Sequence, residues 1–373
     1  VAYERTRTDS STVNSGYAKY TTGVPISGNN TSRTIRTERC IDVVRTRREG
    51  DNQDLSIYYY AMSGGRINGQ TRAGAKFIDF LGTGWGSQST FGHYTGLYGN
   101  PSDIAVATSA AARTNPSRPY VDVAVSVLEL ADLVHSIKSI GDTILRKAAA
   151  RNLELQFGLL PLVGDLDKMC NFHEALDIRL EELHRLQRSH GSRRTKQHGT
   201  FSKSGYWQFQ AQTQGVNASI RSYSNTVQKV SSHCRWLPTG SFRRLGNDAV
   251  RRLASDALLG IVRKNWFRAD MSTVWNAVPW TWLLDWAGTV GNYFAANRNI
   301  VPCYLAGCSV MRETTTETVC DRETGDGLVV DEAHVIFRDR TRKRVLIGPV
   351  AQFPLLSANQ MGILASLSVT RRR

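Results

Sequence analysis

The residues with most to say about chemistry are arginines. Arg179, Arg185, Arg188, Arg193, Arg194 and Lys196 load one stretch of the chain, and Arg243, Arg244, Arg251, Arg252, Arg263, Lys264 and Arg268 load a later one. A third group, Arg338-Asp-Arg-Thr-Arg-Lys-Arg344, alternates so that a strand would carry Arg338, Arg340, Arg342 and Arg344 on one face. Such a row is costly unless an anion or carboxylates lie opposite it. The planar guanidinium grips phosphate through a bidentate fork, which an ammonium cannot do. Several arginine clusters in two structural settings point to a polyphosphate partner, RNA or DNA.

The rest of the composition agrees. Lys and Arg number 47 against 32 Asp and Glu, a net charge of +15, and 41% of the 373 residues are hydrophobic. That is enough apolar material for a real core, and the length suits two or three domains or one large elongated one. Signatures of metabolic or hydrolytic enzymes are missing: there is no phosphate-loop GxxxxGK(S/T), no HExxH, no GxSxG and no EF-hand loop. The paired carboxylates Glu181 and Glu182 are expected on a solvated helix face among arginines. Cysteines 40, 170, 234, 303, 308 and 320 contain no CxxC pair and no zinc spacing, so they read as reduced, packed side chains. No catalytic residue, metal or cofactor is expected. No stretch is apolar enough for a spanning helix, and the polar start lacks the apolar centre of a signal peptide, so synthesis in the cytosol without export is expected.

Elements must position these residues. Residues 1–100 read as strand and loop, with runs at Thr34–Val44, Leu55–Met62 and Lys76–Leu81, then a glycine loop from Gly82 to Gly99. Near Pro101 the pattern changes. Val123, Val127, Leu130, Val134, Ile137, Gly141 and Ile144 give one helical face, and Leu162, Leu166, Met169, His173, Leu176, Leu180 and Leu183 another, with His173 placed in the core. Two such helices should pack antiparallel, with Glu181 and Arg185 as an outer pair. Residues 197–237 predict a long hairpin. Helix returns from about Leu245, where Val250, Leu253, Ala257 and Ile261 share a face. A tryptophan-rich helix follows from about Pro279, residues 301–348 read as strands, and 357–370 as a short helix. The expected fold is α+β and elongated, with a separate antiparallel β-sheet region (1–100, 197–240 and 301–350) and a helical-bundle region (101–196, 241–300 and 351–373), each built from discontinuous segments.

Two segments carry a more specific signal. Asn152-Leu-Glu-Leu-Gln-Phe-Gly-Leu-Leu-Pro-Leu-Val-Gly-Asp165 and Val274-Trp-Asn-Ala-Val-Pro-Trp-Thr-Trp-Leu-Leu-Asp-Trp-Ala-Gly-Thr-Val-Gly-Asn292 resemble, in order and separation, the two signature stretches of the maturation proteins of single-stranded RNA bacteriophages, the leviviruses. Leu159, Asn276 and Thr281 depart from the usual family pattern and read as core or cap variations. The signature residues Phe157, Gly158, Pro161, Asp165, Trp275, Pro279, Trp282, Asp285, Trp286 and Gly291 suit a structural role, with Trp282, Trp286, Val290 and Tyr293 sharing a helical face. Asp285, in an apolar stretch, needs a partner.

The resemblance implies a virion protein made in the bacterial cytoplasm and carried as a single copy in the capsid beside the coat protein. It implies binding of genomic RNA, including structure near the 3′ end, through the helical region. It further implies attachment to a host pilus through the sheet region and passage into the cell with the RNA. The RNA contacts expected are Arg185, Arg188, Arg193, Arg194, Lys196, Arg243, Arg244, Arg251, Arg252, Arg263 and Lys264. Tyr58 and Tyr60 are the expected pilus anchors. Two other readings fit the same residues: a structured-RNA-binding protein with no virion role, and a maturation protein that doubles as a lysis protein.

Overall fold

The computed structural model describes residues 3–25, 30–44, 53–82, 100–120, 167–168, 170–188, 191–213, 216–260 and 289–349. The fold is α+β. Its strands are β1 (Tyr3–Asn14), β2 (Tyr17–Lys19), β3 (Ser32–Val44), β4 (Leu55–Gly64), β5 (Ile67–Gln70), β6 (Lys76–Phe80), β7 (Ser192–Thr213), β8 (Val216–Pro238), β9 (Cys303–Cys320), β10 (Glu323–Gly325), β11 (Leu328–Val330) and β12 (Ala333–Arg344). The described helices are α1 (Asp103–Thr114), α2 (Phe172–Arg188), α3 (Gly240–Arg243), α4 (Asn247–Leu258) and α5 (Val290–Ala296). The chain divides into two compact units. One comprises Val1–Asn100, Gln197–Ser232 and Ser309–Arg344, the other Pro101–Lys196, His233–Cys308 and Val345–Arg373.

The first unit is built on two sheets, a seven-stranded one in the order β1-β3-β4-β12-β9-β8-β7 and a five-stranded one in the order β10-β11-β5-β6-β2. Period-2 alternation decides what each face does. On the inner face of the large sheet Tyr60 and Met62 of β4, Ala333, Val335 and Phe337 of β12 and Cys320 of β9 are buried. They share a core with Ile67, Phe77, Phe80, Leu328 and Val330 from the small sheet and its neighbour Ala18. Farther along, the inner face turns polar without becoming wet. Ser224 meets Thr318 at 2.6 Å and Thr226 meets Thr316 at 2.7 Å, all four buried. Each hydroxyl is the other's partner, so burial leaves neither unsatisfied.

This register corrects the reading of the tyrosines. Tyr60 is 4% exposed, and the Tyr58 ring stands edge-on to Phe337 with centroids 4.9 Å apart. Both side chains serve the core, so neither is an exposed anchor. Tyr59 takes the opposite face, with the Arg36 guanidinium 5.8 Å and the Arg338 guanidinium 5.9 Å from its ring centre.

In the second unit α1 is alanine-rich and is capped by Ser102, whose Oγ accepts from the Ala105 N–H at 3.3 Å. Small side chains allow close packing, and α1 lies against α5 while α2 lies against α4. The turn after α1 works as a clamp. Asn115 Nδ2 donates to the carbonyls of Ala295, Ala296 and Arg298, and Ser117 Oγ accepts from the N–H groups of Ile300 and Val301. Trp236 is buried and donates from Nε1 to Thr114 Oγ1 at 3.1 Å. The described cysteines are free thiols, with Cys234, Cys303, Cys308 and Cys320 buried. Among the described residues no helix is long and apolar enough to cross a membrane.

Two helical expectations change. His173 lies at the start of α2 and is exposed, because the buried stripe there is Leu176, Arg179, Leu183 and Leu186. The hairpin begins at Ser192, so Arg193, Arg194 and Lys196 belong to strand β7 rather than to the exit of the helix. The expected helix through 123–144, the glycine loop at 83–99, the segment 357–370 and the signature residues Phe157, Gly158, Pro161, Asp165, Trp275, Pro279, Trp282, Asp285 and Trp286 lie outside the described residues.

The hydroxyl pairs give a thermodynamic cycle. Thr316→Val alone strands the buried Thr226 hydroxyl and is expected to lower unfolding free energy by about 1–3 kcal/mol. Adding Thr226→Val should recover part of that loss, which urea unfolding of the single and double variants will measure.

Candidate nucleic-acid interface

The C-terminal end of α2 meets the turn between α3 and α4. Gln187 Nε2 donates to the carbonyls of Phe242 at 3.2 Å and Leu245 at 2.7 Å. The anchored residue sits next to Arg188, and its acceptors flank Arg243 and Arg244, so one contact gathers arginines from two helices. Arg188, Arg243, Arg244, Arg251 and Arg252 are exposed and form no ion pair among the described residues. The buried face of α4 explains the last two: Val250, Ala254, Ala257 and Leu258 turn inward and leave Arg251 and Arg252 outside. Asp256, four residues after Arg252, is buried with the inner side of α4. Arg185 makes the expected helical pair with Glu181, but both side chains are largely exposed and the pair is weak. Arg185 and Arg188 also sit in the last turn of α2, where the helix dipole favours cations.

Arg193 and Arg194 have different fates because a strand sends neighbours to opposite faces. Arg193 is exposed, while Arg194 points inward and places NH2 2.8 Å from Glu182 Oε1. Gly191 makes the turn into β7 possible. Its φ is +101°, and a Cβ there would lie 2.4 Å from the Trp236 carbonyl oxygen. Lys196 is half-buried farther along β7. Arg263 and Lys264 lie outside the described residues. Gly291, in α5, is half-buried.

Glu182 is therefore not a solvated surface carboxylate. Arg118 NH2 approaches its two oxygens at 3.1 and 3.2 Å, Arg179 Nε lies 3.4 Å from Oε2, and Arg194 completes the group. Burial pushes the Glu182 carboxyl up, but the charge of Arg118, the hydrogen bond from Arg194 and the charges of Arg194 and Arg179 together hold it below its ordinary 4.5. Arg179 is 5% exposed and donates to the Pro116 carbonyl at 2.6 Å. Burial first, then the charge of Arg118, bring its guanidinium down to about 10 against the pull of Glu182. The i,i+3 spacing of Arg179 and Glu182 was readable in the sequence. Arg118, distant along the chain, had no local signal.

The arginine row of β12 lies on the outer face of the large sheet, and its members meet different partners. Arg338 lies over Tyr59, and Arg340 meets Glu313 of β9 at 2.7 Å. Arg342 Nε donates to the Gln53 carbonyl at 2.7 Å, and the Arg344 backbone N–H donates to Asp54 Oδ1 at 2.7 Å. A carboxylate opposite the row, required by the repulsion argument, is present at Arg340. No protein-family model matches the chain, and no curated protein matches it.

Replacing Glu182 by Gln leaves three guanidiniums around a neutral amide and is expected to cost roughly 2–4 kcal/mol of stability. The lowered carboxyl also fixes a pH signature. Its stabilisation is complete above the unfolded value near 4.5 and is lost as pH falls through the lower folded value. Acid titration of unfolding free energy should show a shallower decline below the ordinary carboxylate range in Glu182→Gln than in the wild type.

Proposed function

We propose that this chain is an RNA-binding maturation protein of a single-stranded RNA bacteriophage, a non-enzymatic virion protein. The observation that carries the RNA-binding reading is a set of exposed arginines, Arg188, Arg243 and Arg244 at the junction of α2 with the α3–α4 turn and Arg251 and Arg252 on the outer side of α4. Arg185, Arg193 and Lys196 add charge on the adjoining helix and strand. These groups neutralise phosphates of a folded stem-loop, while the shape of the RNA supplies selectivity. Arg194 is assigned to the Glu182 cluster and not to this open surface. The resemblance of the two signature stretches supports the virion role, with a single copy in the capsid, a coat-protein neighbour and genomic RNA as partner. Pilus attachment belongs in this reading to the sheet-rich unit, without Tyr58 or Tyr60 as anchors.

The test is RNA affinity as a function of salt. With about six phosphates contacted, the log–log slope is expected to be roughly −4 to −5, and Arg243→Glu with Arg244→Glu should flatten it while leaving the fold intact. A slope near zero in the wild type would refute RNA binding by this surface.

A further inference from the structure

The Glu182 cluster holds more positive charge than its carboxylate can balance. Arg118, Arg179 and Arg194 converge on one Glu, and among the described residues no second carboxylate joins them. Both Glu182 oxygens are occupied by this arrangement. Arg179 is committed on both sides, to Glu182 and to the Pro116 carbonyl. The other two are not. Arg194 makes its one contact through NH2, and Arg118 uses NH2 for Glu182 and NH1 for the Asn115 carbonyl. Their side chains remain 27% and 26% exposed. Two forks with spare donors thus open to water beside a part-buried excess of cationic charge. Such a place is costly while empty and is relieved by a tetrahedral oxyanion that can take several N–H bonds at once.

We propose that the solvent edge of Arg118 and Arg194 is a phosphate-binding site, with Glu182 fixing the two guanidiniums in position rather than neutralising them. Arg179 adds a third guanidinium to the same carboxylate: Nε lies 3.4 Å from Glu182 Oε2 and NH1 donates to the Pro116 carbonyl at 2.6 Å. The phosphate comes from an RNA backbone or from free phosphate. The first source rests on the RNA-binding reading above, whereas the site itself does not.

The experiment compares thermal unfolding of the full chain in potassium phosphate and in potassium chloride at equal ionic strength. Wild type and Arg113→Gln, altered at an exposed arginine in the last turn of α1 outside the candidate interface, are expected to gain stability from phosphate beyond chloride, and Arg194→Gln to lose that gain. Arg118→Lys, which keeps the charge but not the fork, gives the same comparison if Arg194→Gln does not fold. A hairpin RNA titrated in parallel identifies the source. Binding about tenfold weaker in Arg194→Gln than in Arg113→Gln assigns the site to RNA phosphate. A phosphate gain lost in Arg194→Gln with unchanged RNA affinity assigns it to free phosphate. Loss of all RNA binding by the wild type, with the phosphate gain intact, removes the RNA reading and leaves the site standing. Equal stabilisation of the wild type by phosphate and chloride, or an unaltered phosphate gain in folded Arg194→Gln or Arg118→Lys, overturns the proposal.

Discussion

A single carboxylate decides how the basic residues of the helical unit are divided. Glu182 draws Arg179 from its own helix, Arg118 from the turn after α1 and Arg194 from the first turns of β7. Those three elements must then converge, and the chain can do so only because Gly191 accepts a left-handed backbone where a side chain would strike the Trp236 carbonyl. Once they converge, the remaining arginines are sorted by geometry. Those on the inward positions of helix and strand are held by Glu182. Those one residue away, on the outward positions, face solvent. The positive charge of the helical unit is thus partly committed to Glu182 and partly on exposed side chains, and in β7 Arg194 lies on the inner side and Arg193 on the exposed one.

The sheet-rich unit handles the same problem differently. Its arginines lie in rows on the face away from the core and are compensated in place, by Glu313, by the Tyr59 ring and by backbone carbonyls. The outer edge repeats the solution, with Arg5 beside Asp42 at 2.7 Å. A face carrying both signs of charge, with carboxylates interleaved, is a poorer phosphate surface than the exposed arginines around α2 and α4. This contrast is the physical reason for proposing RNA as the partner of the helical unit and protein attachment for the other.

The elements that rest on periodicity were legible. Strands at Leu55–Met62 and Lys76–Leu81, the long hairpin, and the helix carrying Val250 and Ala257 all lie where alternation or helical spacing puts them. The α+β class follows from those runs. Helix α1 was not marked, because alanine has high helical propensity but gives little apolar contrast between faces. The tyrosines illustrate a different limit. In Tyr58-Tyr59-Tyr60 both faces of the strand are aromatic, so composition cannot say which points inward. Pairing of β4 with β12 decides it, by placing Tyr60 beside Phe337 and Tyr59 beside Arg338. The Arg118–Glu182 contact likewise joins residues with no local relation in the chain. For the candidate interface, residue type was readable, but the separation of Arg193 from Arg194 needed the start of β7 at Ser192.

The central claim, that the open arginines of the helical unit hold the genomic RNA inside a virion, is tested most directly by crosslinking RNA to this protein in purified particles, with its copy number counted in the same sample. The expected result is one copy per particle, with crosslinks concentrated at one region of the genome and on the peptides carrying Arg188, Arg243, Arg244, Arg251 and Arg252. Many copies per particle, or crosslinks scattered along the genome and absent from those peptides, would contradict it.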